Sequence, residues 1–223
     1  MVNLDQYREI KFSLDERNVS LVAVSKFKEI ADIAALYEAG QVDFGENYVQ
    51  ELVNKQAALP SDIRWHFIGH LQRNKVKYIA PFVTLIHGVD RYDLLQEINK
   101  QAQKNNRKIS CLLQIHIAAE DTKFGMDEKE AVECLAFYTA NKHNFNHVAI
   151  TGLMGMATFT DDEEQVRSEF RKLKSLFDIF KSSYFLGDEN FKTLSMGMTD
   201  DYQIAIEEGS TMVRIGRALF GAR

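Results

Sequence analysis

The sequence predicts a single α/β domain built as a (β/α)8 TIM barrel. Three observations carry that expectation. Helix-like and strand-like segments alternate from end to end, eight strand candidates fall in that alternation, and 223 residues is about the length such a fold needs. An open doubly wound sheet is the alternative, but it rarely keeps eight units in so regular an order. With only 2 Pro and no Gly/Ser-rich tract, no linker divides residues 1–223.

Residues 3–17 read as a helix ahead of the first strand. That strand, 19–25, is a valine- and leucine-rich run ending on Lys26, and unbroken apolar runs of this kind belong to strands covered on both faces. Helix-like sequence follows at 29–40. A short second strand at 41–45 leads into a helix at 46–55. The third strand is 64–68, and its helix, 74–80, is stopped by Pro81. The fourth is 82–87, after which Asp90 is expected to cap a helix carrying Leu94, Leu95 and Ile98.

Residues 109–117 form the longest strand candidate, followed by a helix at 129–142. Strand six is 148–154. Acidic residues 161–164 then open a long helix and complement its positive end, with Phe170, Leu173, Phe177 and Phe180 as its apolar stripe. Residues 193–195 make a brief seventh strand. Thr199, Asp200 and Asp201 are expected to cap the next helix, which Gly209 stops. Strand eight is 211–215. Too few residues follow it for a full outer helix, so 3–17 is the segment expected to cover the gap.

Composition narrows the function. A net charge of −5 with both signs interspersed gives no basic footprint for nucleic acid. No apolar stretch approaches the roughly 20 residues that span a bilayer, and the N-terminus lacks the basic start and apolar run of a signal peptide. Cys111 and Cys134 are too far apart for a CxxC motif, which favours two reduced, packed thiols in a cytoplasmic protein. No metal site is expected.

In such a barrel the chemistry gathers where the strands end. Lys26 ends strand one, and Gly45, Glu46 and Asn47 follow strand two. Gly69 and His70 follow strand three, and Lys123 lies in the loop after strand five. The last two loops, Ser195 to Thr199 and Arg214 to Arg217, occupy the place where barrel phosphate sites commonly form. Gly197 and Gly216 let backbone approach an anion, and Ser195 offers a hydroxyl. Read alone, these glycines are equally well simple turns, Thr199 a cap and Lys26 a rim charge. Taken together they suggest a phosphorylated aldehyde or ketone held on Lys26 as a Schiff base.

The strings AVSKFK, DFGENYVQE, WHFIGHLQRNK, GLMGMA, LSMGMTDD and GSTMVRIGRALFGAR run in order from the first strand to the C-terminus. They resemble the YggS/PROSC family of pyridoxal 5′-phosphate homeostasis proteins. The resemblance implies a barrel like the N-terminal domain of alanine racemase, with pyridoxal 5′-phosphate as cofactor and Lys26 as its covalent anchor. It further implies cofactor contacts from Asn47, from Ser195, Met196 and Gly197, and from Gly216 and the backbone N–H of Arg217. Arg214 would face the pyridine nitrogen. Several relatives carry a small hydroxyl residue where this chain has Arg217.

A guanidinium at that nitrogen is a donor that keeps its proton, so the ring is a weaker electron sink than a pyridinium. Racemases that share this barrel use a second, β-rich domain to supply a tyrosine base, and these 223 residues contain no such domain. Tyr48 is read as a packing or surface residue, Lys123 as a solvated charge, Glu46 as an acid at a helix N-terminus, and His66 and His70 as rim supports. The expected function is a monomeric carrier and buffer that holds the cofactor and delivers it to apo-enzymes. The alternatives are a weak amino-acid racemase, a Schiff-base aldolase, and a barrel with no ligand.

Overall fold

The computed structural model describes residues 2–120 and 124–221. Eight parallel strands close into a barrel in chain order. They are β1 (Ser20–Val24), β2 (Asp43–Glu46), β3 (Arg64–Phe67), β4 (Leu85–Val89), β5 (Ile109–Gln114), β6 (Val148–Met154), β7 (Thr193–Ser195) and β8 (Met212–Ile215). The seam closes by β8 pairing with β1, Ser20 opposite Met212 and Ala23 opposite Ile215. The single (β/α)8 barrel read from the alternation is the fold observed.

Side chains alternate across each strand, and here the two faces differ in chemistry. Outward residues such as Leu21, Phe44, Trp65, Ile86, Leu113 and Val213 join one large apolar core shared with the helices. Inward positions include a small apolar cluster of Leu85, Leu112 and Met154, on which Met212 packs. Beside it the interior is polar, because His66, His87, Ser195 and Arg214 are all buried there.

The helices form because each buries one stripe against that outer face. In α5 (Tyr92–Lys104) the stripe is Leu94, Leu95, Ile98 and Ala102. In α7 (Glu163–Tyr184) it includes Phe170, Leu173, Phe177 and Phe180, each burial worth roughly 1.5–3 kcal/mol. Asp162 caps α7 by accepting from the N–H groups of Glu164 and Gln165. Helix α6 (Glu128–Ala140) opens with a reciprocal capping box between Asp127 and Glu130. The shorter helices are α2 (Ile30–Glu38), α3 (Val49–Ala58), α4 (Val76–Ile79) and α8 (Tyr202–Glu207).

The last strand is followed by a four-residue helix, α9 (Arg217–Phe220). Beside it lies α1 (Leu4–Glu16), with Tyr7, Ile10 and Leu14 buried and the Asn3 N–H donating to the Leu219 carbonyl at 2.8 Å. The N-terminal helix thus covers the gap left by the short last one.

Three local expectations are corrected. Residues 82–84 are not strand, because the Phe82 and Val83 N–H groups bond back to Ile79 and prolong the turn of α4, so β4 begins at Leu85. Asp90 does not cap α5. Arg91 occupies the cap position, and the Asp90 carboxylate takes Arg91 Nη1 at 2.6 Å and His70 Nδ1 at 3.1 Å. The α8 cap position is held by Asp201, whose carboxylate accepts from the Met198 N–H in the preceding loop instead of from the helix.

Candidate functional site

β1 hands its ladder on by one residue, the Ser25 N–H donating to Gly45 O at 3.0 Å, and the chain then turns sharply after Lys26. Phe27 adopts a left-handed conformation with φ +62°, which costs a non-glycine residue of order 1–3 kcal/mol. Two acids and a buried lysine hold that turn. The Phe27 N–H donates to Glu51 Oε1 at 2.6 Å. Lys55, only 6% exposed at its side chain, donates to Ser25 O (2.7 Å), Glu46 Oε1 (2.8 Å) and Glu51 Oε1 (2.6 Å). Three N–H groups meet three oxygens, which satisfies the ammonium.

Glu46 is therefore not an acid at a helix N-terminus. It is the last residue of β2, fully buried, and also accepts from the Ser25 hydroxyl at 2.6 Å. Burial pushes its carboxyl up, opposed by Lys55 and Ser25. Next to it Asn47 reaches the rim, its backbone so close to Gly69 that a Cβ there would lie 2.5 Å from Asn47 O. The Asn47 Oδ1 atom is buried with no hydrogen-bond partner.

Across the mouth, the loops after β7 and β8 form the facing wall. Together the two sides enclose a cavity of about 490 Å³ lined by Lys26, Asn47, Thr199, Arg214, Gly216 and Arg217, with Met156, Phe159 and Met198 among the apolar parts. That volume suits a small cofactor. Gly216 packs against β1, where a Cβ would meet Val24 O at 3.2 Å. Arg217 pairs with Asp200, which also lines the wall.

Arg214 is buried and fixed. Its Nη1 donates to the Ser195 carbonyl (2.8 Å) and hydroxyl (2.7 Å), and its Nη2 to Gly155 O (3.0 Å). Burial pulls the guanidinium down to about 10, with Asp201 acting in the opposite direction, so it is a cation at neutral pH.

The structure thus gathers Lys26, Asn47, Arg214, Gly216 and Arg217 on one cavity. Ser195, Met196 and Gly197 are placed below the wall. Ser195 is wholly buried under Arg214, and its hydroxyl is also within 3.1 Å of His87 Nδ1. Met196 lies in the outer core, its N–H bonded to Met212 O. Gly197 sits at φ +94° against α8, where a Cβ would come 2.6 Å from Ala205 Cβ. The loop reaches the wall through Met198, Asp200 and Thr199, the last of which sequence reasoning treated only as a cap. Its position two residues past Gly197 was the available signal.

His66 is a second correction, since it is buried inside the barrel and not at the rim, hydrogen-bonded to Asp43 and His87. His87 was missed altogether. His70 does stand at the rim, stacked on Phe124 with ring centroids 4.1 Å apart. The pairs His66/His70 and His143/His147 each have i, i+4 spacing, but no cluster of three or more possible metal ligands occurs among the described residues. Tyr48 is exposed and packs against Phe27. Lys123 lies outside the described residues.

With this geometry in place, the relatives are informative. A family model described as alanine racemase, N-terminal domain, matches residues 4–223. The pyridoxal phosphate homeostasis protein of Haemophilus influenzae is 41% identical over 214 residues, covering 94% of this chain and 87% of its own length. Its counterpart in Aquifex aeolicus is 42% identical over 209 residues, covering 93% and 89%. Among solved structures, PipY of Synechococcus elongatus without pyridoxal phosphate superposes with a TM-score of 0.90 at 30% identity, covering 98% and 99% of the two chains. PipY with pyridoxal phosphate bound gives 0.86 at the same identity and coverage. An alanine racemase from Bartonella henselae, 18% identical with a TM-score of 0.70 over 60% of its chain, shares the fold.

Proposed function

The chain belongs to the family of pyridoxal phosphate homeostasis proteins, built on the alanine racemase N-terminal domain, and from that premise we propose that it holds pyridoxal 5′-phosphate on Lys26 as a reversible carrier and buffer without strong catalysis of its own. The observation that carries this reading is the cavity, which sets a strand-end lysine opposite the loops after β7 and β8. When bound, pyridoxal 5′-phosphate supplies an aldehyde that condenses reversibly with a lysine amine, releasing one water.

The chain's own residues fit that group. Lys26 provides the amine, at the end of a strand and ahead of a turn that the Lys55 cluster holds in place. The unpartnered Asn47 Oδ1 is a buried acceptor in want of a donor, as an orphaned polar group inside a ligand site is expected to be. Thr199, Gly216 and Arg217 offer a hydroxyl, unobstructed backbone and a guanidinium where a phosphate would sit.

The same residues argue for holding over catalysis. Arg214 keeps its proton and presents only N–H donors, which leaves a facing ring nitrogen unprotonated and the ring a weak electron sink. Among the described residues the cavity wall carries no tyrosine and no histidine to serve as a base. Lys28, also on the wall, donates to the carbonyls of Phe220 and Gly221 at 3.1 and 3.2 Å. The reading makes apo-enzymes the recipients, the cytoplasm the compartment and a monomer the working unit.

Absorbance tests it. Purified protein mixed with pyridoxal 5′-phosphate should develop a visible band that borohydride fixes onto Lys26 and that Lys26→Ala abolishes. Holo-protein incubated with L-amino acids in deuterated water should leave the α-hydrogens in place. Deuterium entering at enzymatic turnover would replace the carrier with the racemase reading.

A further inference from the structure

Carrying the cofactor makes no direct use of His66 or His87, yet both rings are buried in the barrel interior, where a polar group without a partner is costly. They belong to a continuous line of contacts across five strands. Arg64 Nε donates to Asp43 Oδ1 at 2.8 Å, and His66 Nε2 lies 3.0 Å from the same oxygen. His66 Nδ1 lies 3.0 Å from His87 Nε2, and His87 Nδ1 3.1 Å from Ser195 Oγ. Arg214 Nη1 closes the line on that hydroxyl at 2.7 Å. The charged groups facing the two rings are Asp43 and Arg64 at one end and Arg214, backed by Asp201, at the other.

The donors can be assigned by elimination. Asp43 is ionised, held low by His66 and Arg64 against the effect of burial, so it only accepts. His66 must then carry its proton on Nε2. From the other end, Arg214 can only donate, so the Ser195 proton goes to His87 Nδ1 and His87 donates from Nε2 to His66 Nδ1. His87 is kept neutral by burial, with the Arg214 cation acting in the same direction, so its Nδ1 accepts in turn. The proton it accepts is the only one Ser195 Oγ has. That oxygen is left to accept from Arg214, which has no acceptor of its own. Each bond fixes the next, and all run in one direction. Reversal needs an extra proton, because His66 would then donate from both nitrogens as an imidazolium.

We propose that His66, His87 and Ser195 form a hydrogen-bonded string of fixed direction, and that His87 is the positioning residue that, through Ser195, aims Arg214 at the bound cofactor. The string commits three of the five guanidinium N–H groups to Ser195 and Gly155, leaving two for a ligand. It also assigns Ser195 to Arg214 in place of a phosphate, since its single O–H is already given to His87. The aiming of Arg214 rests on the carrier reading, whereas the direction of the string does not.

Two experiments decide it. Long-range proton–nitrogen spectra of cofactor-free protein labelled at histidine should show His66 and His87 both protonated on Nε2 at neutral pH. A proton on Nδ1 of His87 would overturn the string. With pyridoxal 5′-phosphate as probe, His87→Leu should weaken binding at least about tenfold and move the visible band, because the Ser195 hydroxyl is freed to turn. His87→Gln, whose amide can accept from Ser195 and donate to His66, should stay within about threefold of wild type with the band in place. A folded His87→Leu protein with wild-type affinity and band would sink the positioning role. Should that variant fail to fold, Ser195→Ala removes the same acceptor with the loss of one oxygen, and an unchanged band there has the same consequence. If wild-type protein takes up no cofactor, the carrier reading and the aiming of Arg214 fall, and the tautomers still decide the string's direction.

Discussion

Below Lys26, a buried ammonium is ringed by three oxygens; below Arg214, two imidazoles and a hydroxyl stand in line. The first assembly is ionic and short, and it grips backbone: the Ser25 carbonyl and the Phe27 N–H. The second carries its charges only at its ends and grips a side chain. A strained turn tends to relax unless something strong holds each peptide, which suits Lys55 and Glu51. A guanidinium needs instead an acceptor that cannot turn away, which suits a serine whose proton is already committed. One cavity thus rests on two kinds of polar support, matched to what each must immobilise.

The contrast can be broken most forcefully at Lys55. Lys55→Met leaves Glu46 and Glu51 facing each other without a cation, and should cost about 3–5 kcal/mol in urea unfolding. His87→Leu strands only neutral groups and should cost about 1–3 kcal/mol. If the histidine variant proves the less stable of the two, the assignment of ionic and neutral supports is wrong.

Acid sharpens the same contrast from the far end of the string. Burial raises the Asp43 carboxyl, but His66 and Arg64 outweigh it and hold it at about 2, below its ordinary 3.8. The stability this confers is present in full above the ordinary value and is lost as pH falls through about 2. It amounts to about 2 kcal/mol. Urea unfolding of wild type between about pH 4 and pH 2 should therefore fall more steeply than that of Asp43→Asn by that amount. Parallel slopes would mean the native state draws nothing from the Asp43 charge.

The smallest effect is expected at Tyr48. Its phenol is half exposed beside Phe27 and belongs to neither support. Tyr48→Phe should change affinity for pyridoxal 5′-phosphate by less than about twofold in a spectroscopic titration. A larger loss would bring that hydroxyl into the site.

The fold was legible because burial repeats. Runs such as 19–25 and 148–154, and the stripe from Phe170 to Phe180, announce their elements through periodicity, which depends only on neighbours along the chain. Positions 82–84 misled because Phe-Val-Thr suits a strand as well as it suits the turn that the Ile79 carbonyl imposes. The strand-end lysine was legible for a topological reason, since the loops that follow barrel strands share one rim, whereas Arg214 lies within β8 and was marked by the family resemblance. The supports were not legible. Nothing in the sequence near Lys55 says that its amine crosses to Ser25, or near His87 that its ring meets His66 on one side and Ser195 on the other. Such contacts are made across strands, and inward polar residues in the strands look like interruptions until the barrel closes around them.

The seam between β8 and β1 carries one more consequence. Lys26 emerges early in synthesis, but its partners Arg214, Gly216 and Arg217 lie on the last strand and just after it, and Gly216 seats directly on Val24. A nascent chain halted before Thr211 has Lys26 and the loop after β7 but lacks the part of the facing wall supplied by β8 and the residues after it. On the carrier reading, the complete site forms only once β8 has closed on β1, so capture of a free aldehyde falls late in the assembly of the barrel.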